Sequence, residues 1–268
     1  MTQPPSALTI AGSDSGGGAG IQADLKTFAA LGVHGLSAIT ALTAQHTRGV
    51  TAVHVPPTPF LRAQIDACFD DFRVVAVKIG MLASAEVIHA VADALEAHRP
   101  PHVVLDPVMV ATSGARLLEA DALDALRTRL LPLADVLTPN IPEAELLLGR
   151  AIDDGAAADA ALDALRAAGA RAVLLKGGHL EEGREVVDRY GDRDLRTAFR
   201  SPRLAVDGHG TGCTLAAAIA AGLCRGLSLP DACAAGVDYI RRALAFGSRP
   251  GRSEVLVLGH FAAGRAGA

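Results

Sequence analysis

The chain has 268 residues, half of them apolar, and a formal net charge of −4. That length buries a sizeable core in one α/β domain, and the mild acidity offers no basic field for nucleic acid or an anionic membrane. No apolar run reaches the roughly 20 residues that span a bilayer. Met1–Ser6 lacks a secretory pattern, and Cys68, Cys213, Cys224 and Cys233 show no disulfide or metal spacing, which predicts reduced thiols in a cytoplasmic protein.

In chain order, short β-branched runs alternate with Ala/Leu-rich stretches of helical period. Strands are predicted at Leu8–Ala11, Leu36–Leu42, Val74–Ile79, His102–Leu105, Val136–Thr138, Ala172–Leu175 and Glu185–Arg189. Helices are predicted at Gly20–Leu31, Pro59–Phe69, Ala85–Ala97, Ala120–Leu130, Ile141–Leu148, Ala157–Ala168, Gly212–Arg225 and Pro230–Phe246. In the sixth of these, Leu162, Leu165 and Ala168 fall on one face, with Asp163 and Arg166 elsewhere. The alternation predicts an α/β fold on a largely parallel sheet. No repeat or linker divides the chain, so 1–268 reads as one domain. Its ends, 1–6 and about 260–268, are expected to be flexible.

Four segments carry chemistry. Ala11–Gly20, Gly-rich and lying between the first strand and first helix, lets backbone approach a ligand and offers N–H groups to a polar or anionic group. A flexible turn is the alternative, and the spacing does not fit a dinucleotide fingerprint. His209-Gly210-Thr211-Gly212-Cys213-Thr214 opens a strongly apolar helix. Successive small residues there aim N–H donors and the helix dipole at one point, which suits a phosphoryl group in transfer. A thiol at that point is expected to have a lowered pKa; a capped helix with a buried Cys is the alternative. Cys224 and Cys233, among apolar neighbours, read as core.

Lys176-Gly177-Gly178-His179 follows a strand, and Lys is scarce: only Lys26, Lys78 and Lys176 occur. A Lys at the carboxyl end of a parallel strand can reach phosphates, or can be a solvated side chain beside a turn. Asp106 also ends a strand, and Asn140 and Glu143 follow another. Such carboxylates could hold Mg²⁺ through water. The alternatives are a turn former for Asp106 and a capping box for Asn140 and Glu143.

These residues resemble a known family. Ile10–Lys26 is similar to the opening signature of the bifunctional hydroxymethylpyrimidine/phosphomethylpyrimidine kinases of thiamine biosynthesis. Ala41–Gln45, Val77–Leu82, Leu105–Met109, Thr138–Asn140, Leu175–His179 and His209–Leu215 match further motifs in order. The resemblance implies a ribokinase-like, three-layer α/β/α fold and transfer of the γ-phosphoryl of ATP, with Mg²⁺. The acceptor it implies is 4-amino-5-hydroxymethyl-2-methylpyrimidine and then its monophosphate. Gln45, Gly12, Met81 and Asp24 are then substrate-binding. Cys213 sits by the hydroxymethyl group, with Gly210, Thr211 and Gly212 as the anion hole. Lys176, Thr211 and Asn140 approach ATP, and Asp106 and Glu143 belong to the metal region through water. A homodimer is implied as well. The chain departs from the pattern at His46, at Asp207-Gly208 and at Gly259-His260-Phe261. Two rivals are a pyridoxal kinase of the same superfamily, whose substrate is also a flat ring bearing a hydroxymethyl group, and a non-catalytic pyrimidine- or nucleotide-binding regulator.

Overall fold

A computed structural model describes residues 4–109 and 122–265 of the chain. The elements run β1 (Ser6–Asp14), α1 (Gly20–Ala30), β2 (His34–His46), β3 (Gly49–His54), α2 (Thr58–Asp71), β4 (Val74–Ile79), α3 (Ala85–His98) and β5 (His102–Leu105). They continue with α4 (Ala122–Ala125), β6 (Val136–Leu137), α5 (Ile141–Leu148), α6 (Gly155–Ala167), β7 (Val173–Leu175), β8 (Glu185–Gly191) and β9 (Arg196–Pro202). The last are β10 (Gly208–His209), α7 (Thr211–Cys224), α8 (Leu229–Ala245), β11 (Leu256–Val257) and α9 (His260–Arg265).

Nine strands form one sheet in the order β3-β2-β1-β4-β5-β6-β7-β8-β9. The six from β2 to β7 are mutually parallel, while β3, β8 and β9 join antiparallel. Parallel strands covered on both faces read as continuous apolar runs, which is why Val103–Leu105 and Val173–Leu175 were legible. Their alternate residues enter different cores. Leu8, Ile10, Val77, Ile79, Val103 and Leu105 pack with α2, α3, α5 and α6. Ala7, Ala76, Val104 and Leu174 pack with α1, α7 and α8 on the other face. The result is the expected three layers.

Helix α7 is buried nearly all round: every residue from Thr214 to Cys224 is buried. A helix apolar on all sides belongs in the interior, and this one runs beneath the sheet with its N-terminus at the strand carboxyl ends. The order β2-β1-β4 reverses direction at β1, and clefts open at such switch points.

Several expectations needed correction. The face of α6 is Ala158, Ala161, Leu162 and Leu165; Ala168 is the exposed C-cap, because steps of three residues drift around a helix of 3.6. The edge strands β3 and β9 and the two-residue pair β10–β11 were not foreseen, being short or solvent-facing. The helix predicted from Ala120 begins outside the described residues; within them it is α4 followed by a π-turn over Leu126–Leu130. The ends expected to be flexible are partly built in: Ser6 starts β1 and is buried, and α9 carries the buried His260, which bonds Thr214 Oγ1 at 3.1 Å.

Candidate active site

A cavity of about 770 Å³ opens over the carboxyl ends of the parallel strands. It gathers Gly12 from β1, Gln45 from β2, Met81 after β4, Asp106 after β5, Asn140 and Glu143 after β6, Lys176 after β7, and Gly210–Cys213 from α7. Ladder bonds fix these strand ends to one another. Asp106 N donates to Ile79 O at 2.9 Å and Lys176 N to Pro139 O at 2.8 Å. The chemistry-bearing side chains therefore stand on rigid backbone.

The two Gly-rich segments meet back to back. Gly210 adopts φ 78°, and a Cβ there would collide with the Gly18 carbonyl, so only glycine fits. In the first segment the carboxylate of Asp14 takes the loop N–H groups of Gly16 (2.8 Å), Gly18 (3.0 Å) and Ala19 (2.9 Å), ahead of α1, which itself has no side-chain cap. The anion expected at the first loop is thus the chain's own side chain. Burial raises the Asp14 carboxyl, but the bonds from His209, Gly16 and Ala19 outweigh it and hold the group below its ordinary value.

At α7 no side chain caps the helix. Thr214 N bonds Gly210 O, so the N–H groups of Thr211, Gly212 and Cys213 precede the first intrahelical bond. A Cβ on Gly212 would lie 3.0 Å from Lys176 Nζ and 3.4 Å from Asp106 Oδ2. The amide nest, the ammonium and the carboxylate therefore converge within a few ångströms, as a phosphate site at this turn requires.

Lys176 Nζ lies 3.0 Å from Asp106 Oδ1 and 3.8 Å from Glu143 Oε2. Burial lowers the Lys176 pKa, but the two carboxylates more than reverse it, and the ammonium is held. Two carboxylates share one cation, and Glu143 carries the imbalance. Burial pushes it up to about 7, Lys176 pulls it down, and Asp106 adds to the rise. Asn140 and Glu143 also form the capping box of α5: Glu143 N donates to Asn140 Oδ1 at 2.9 Å and Asn140 N to Glu143 Oε2 at 2.7 Å. The capping-box reading of that pair holds.

Cys213 is partly buried beside Gly20 N–H. The lowered pKa expected of it is overturned. Burial pushes the thiol up to about 11; Lys78 lowers it, but Asp24 and Asp106 raise it again. A helix N-terminus contributes only a fraction of a unit charge, too little to offset desolvation among carboxylates. Cys224 and Cys233 are buried in the core as read, and all four cysteines are free.

Asp24 needs the other correction. It does not line the cavity. It is fully buried beneath the floor, bonded to Thr9 Oγ1 at 2.6 Å and paired with the equally buried Lys78 at 2.9 Å. Burial raises the Asp24 pKa and Lys78 lowers it, with a net rise; Lys78 itself is held charged by Asp24 against its burial.

Three wall residues were missed. Asp188 accepts from Gly177 N at 2.8 Å and fixes the turn after Lys176. Asp14 and His209 bond at 3.0 Å across the junction of the two loops, and His209 Nε2 lies 3.2 Å from Gln45 Nε2. The signal was present, since both sit inside the glycine motifs, but their pairing spans 195 residues.

Known proteins resemble this chain over most of its length. The family model described as phosphomethylpyrimidine kinase matches residues 14–257. A hydroxymethylpyrimidine/phosphomethylpyrimidine kinase of Rhizobium meliloti (strain 1021) is 54% identical over 245 residues, covering 91% of each chain. Among solved structures, phosphomethylpyrimidine kinase from Clostridium difficile 630 aligns with a TM-score of 0.80 at 42% identity, covering 90% of this chain and 99% of that one. An ADP complex of Bacillus subtilis pyridoxal kinase aligns with a TM-score of 0.88 at 33% identity, covering 97% and 98%.

Proposed function

This chain belongs to the phosphomethylpyrimidine kinase family, and from that premise we propose how its residues divide the reaction. The enzyme is a phosphotransferase of thiamine biosynthesis, with ATP as donor. The acceptor is the hydroxymethyl oxygen of 4-amino-5-hydroxymethyl-2-methylpyrimidine, and then the phosphate of its monophosphate. The observation that carries the assignment of roles is the uncapped N-terminus of α7, facing Lys176 across the cavity.

The N–H groups of Gly210–Cys213 and the Lys176 ammonium receive the charge that spreads over the γ-phosphoryl oxygens. Phosphoryl transfer asks little covalent help from a protein, so positioning and charge stabilisation supply most of the rate. Thr211 and Asn140 line the phosphate side. Gln45, Gly12 and Met81 form the ring side; a Cβ on Gly12 would press within 2.9 Å of Met81 Sδ, so glycine keeps that slot flat. Cys213 takes the acceptor proton. Only its thiolate can do so, and burial keeps that form minor at neutral pH. The acceptor hydroxyl acidifies as its oxygen bonds phosphorus, which lets a weakly populated base suffice.

Asp106 Oδ2 is a buried acceptor without a partner. Among the described residues no group of three His, Cys, Asp or Glu side chains could hold an ion by itself. Asp106 and Glu143 would hold a Mg²⁺ through water, and such an ion would add to the neutralisation of phosphate charge.

Among the described residues no helix is long and apolar enough to cross a membrane. The four free thiols support a reducing compartment. Homodimer assembly is supported by the open apolar side chains of Val53 on β3 and Phe60 on α2, and light scattering at micromolar concentration tests it.

ADP release by purified protein with Mg-ATP tests the reading, offering in turn hydroxymethylpyrimidine, its monophosphate and pyridoxal. Turnover on both pyrimidines above that on pyridoxal is expected. Preference for pyridoxal overturns the substrate, and binding of acceptor without any ADP overturns the enzyme.

A further inference from the structure

We propose that His209, held by Asp14, is a specificity-determining positioning residue that fixes which way the Gln45 carboxamide faces. The inference rests on the proposed meeting of Gln45 with the ring edge. It turns on counting donors and acceptors around that amide.

Asp14 is an acceptor three times over, from Gly16, Gly18 and Ala19 N–H. An ionised carboxylate has no proton to give. His209 Nε2, 3.0 Å from Asp14 Oδ2, must therefore carry the proton of that contact. The Gln45 amide atom 3.2 Å from the same nitrogen then faces a donor, so it has to be the carbonyl oxygen. The opposite side agrees. Thr43 Oγ1 donates its one proton to Ser13 O at 2.9 Å. The Gln45 atom 3.0 Å from Thr43 Oγ1 must then be the NH₂ donor. With Nε2 toward His209 and Oε1 toward Thr43, both contacts are mismatched; a half-turn of the amide gives Thr43 Oγ1 a donor and lets Oε1 share the one His209 N–H with Asp14.

The chain thus runs outward from His209, whose Nε2–H is shared between Asp14 on one side and Gln45 on the other, and from Gln45 onward each group donates to the next, through Thr43 to Ser13. Gln45 N is pinned as well, donating to Ser15 Oγ at 2.8 Å. After these bonds the carboxamide retains one oxygen lone pair and one N–H for the cavity that Gln45, Thr43 and His209 all line. Adjacent acceptor and donor on the protein match adjacent donor and acceptor on the ligand. A 4-aminopyrimidine presents that pair as its exocyclic amine beside a ring nitrogen. Pyridoxal has no amine beside its ring nitrogen, and its neighbouring hydroxyl and formyl groups, which bond each other, lie on a different edge of the ring. A fixed amide therefore discriminates between the two rings, whereas a freely turning amide serves either.

The test compares kcat/KM for hydroxymethylpyrimidine and for pyridoxal in the wild type, His209→Leu, His209→Gln and Thr43→Val. His209→Leu should lower the pyrimidine-to-pyridoxal ratio about tenfold, the cost of one misdirected hydrogen bond, with the loss falling on KM for the pyrimidine rather than on kcat. His209→Gln, whose terminal N–H can reach the Nε2 position, should restore most of the ratio. Thr43→Val releases the other end of the amide, keeps the strand's shape, and should lower the ratio at least threefold; it decides the matter if the leucine variant does not fold. A loss equal for both rings, or confined to kcat, would assign His209 to phosphate positioning and overturn the inference. So would an unchanged ratio in Thr43→Val. If the wild type turns over neither ring, the proposed function fails first, and this inference fails with it.

Discussion

Replacing Lys176 with alanine is the perturbation that most directly probes the phosphate site. Its ammonium lies 3.0 Å from Asp106 and would lie 3.0 Å from a Cβ on Gly212, beside the amide nest. A unit charge about 4 Å from a phosphoryl oxygen, at an effective dielectric of about 20, is worth about 4 kcal/mol. Loss of one charge-stabilising donor in an active site commonly slows turnover by about two to three orders of magnitude, or roughly 3–4 kcal/mol. The two figures agree, so Lys176→Ala should turn over roughly a hundredfold to a thousandfold more slowly than the wild type. The loss has a second signature. Without its cation, Glu143, already pushed up to about 7, moves higher still, and Asp106 faces the triphosphate unbalanced. KM for ATP in the variant should therefore rise as pH increases above neutral, because each proton lost adds an uncompensated negative charge. Steady-state ADP release between pH 6 and 9, with rapid-quench single turnovers to isolate chemistry, measures both effects. Turnover within about fivefold of the wild-type rate would refute the reasoning, since no other described cation in the cavity wall lies so close to the nest.

Three further outcomes follow from the same charges. Cys213, with its thiol at about 11, should be alkylated by iodoacetamide at a rate rising about tenfold per pH unit from 7 to 10, and kcat/KM should rise with pH until the Cys213→Ala substitution abolishes the trend; site-resolved mass spectrometry that found a plateau near pH 7 would contradict the burial argument. Glu143 has its folded pKa raised from 4.5 to about 7, so its stabilising contribution is complete below 4.5 and is lost as pH rises through 7. Glu143→Gln, which keeps the bond from Asn140 N, should therefore unfold at higher urea than wild type at pH 8, by up to ~3 kcal/mol, and show no gain at pH 4.5. Lys78→Met leaves Asp24 buried without its partner and should cost about 3–5 kcal/mol in urea unfolding, whereas Asp24→Asn combined with Lys78→Met should recover much of that loss; equal losses would show that packing, not charge, is at stake.

Much of this protein is written locally. Continuous apolar runs such as Val103–Leu105 announce buried parallel strands. Glycines clustered before an apolar run announce a helix start near a ligand, and Lys176 and Asp106 declare themselves by ending strands. Each signal depends on residues within one turn or one strand of each other, so single-sequence reasoning reaches them. What remained hidden depends on partners far along the chain. Asp24 lies in a motif that reads as substrate contact, yet Lys78 and Thr9 draw it under the floor. The two glycine loops look alike, and only folding shows that Asp14 occupies the N–H groups of the first loop, while those opening α7 face the cavity without a side-chain cap. The direction of the Cys213 pKa followed from desolvation and from Asp24 and Asp106, which arrive from separate parts of the chain. Sequence carries propensity, and propensity is short-range. Burial and charge balance are sums over everything the fold brings near, so only the tertiary structure could decide them.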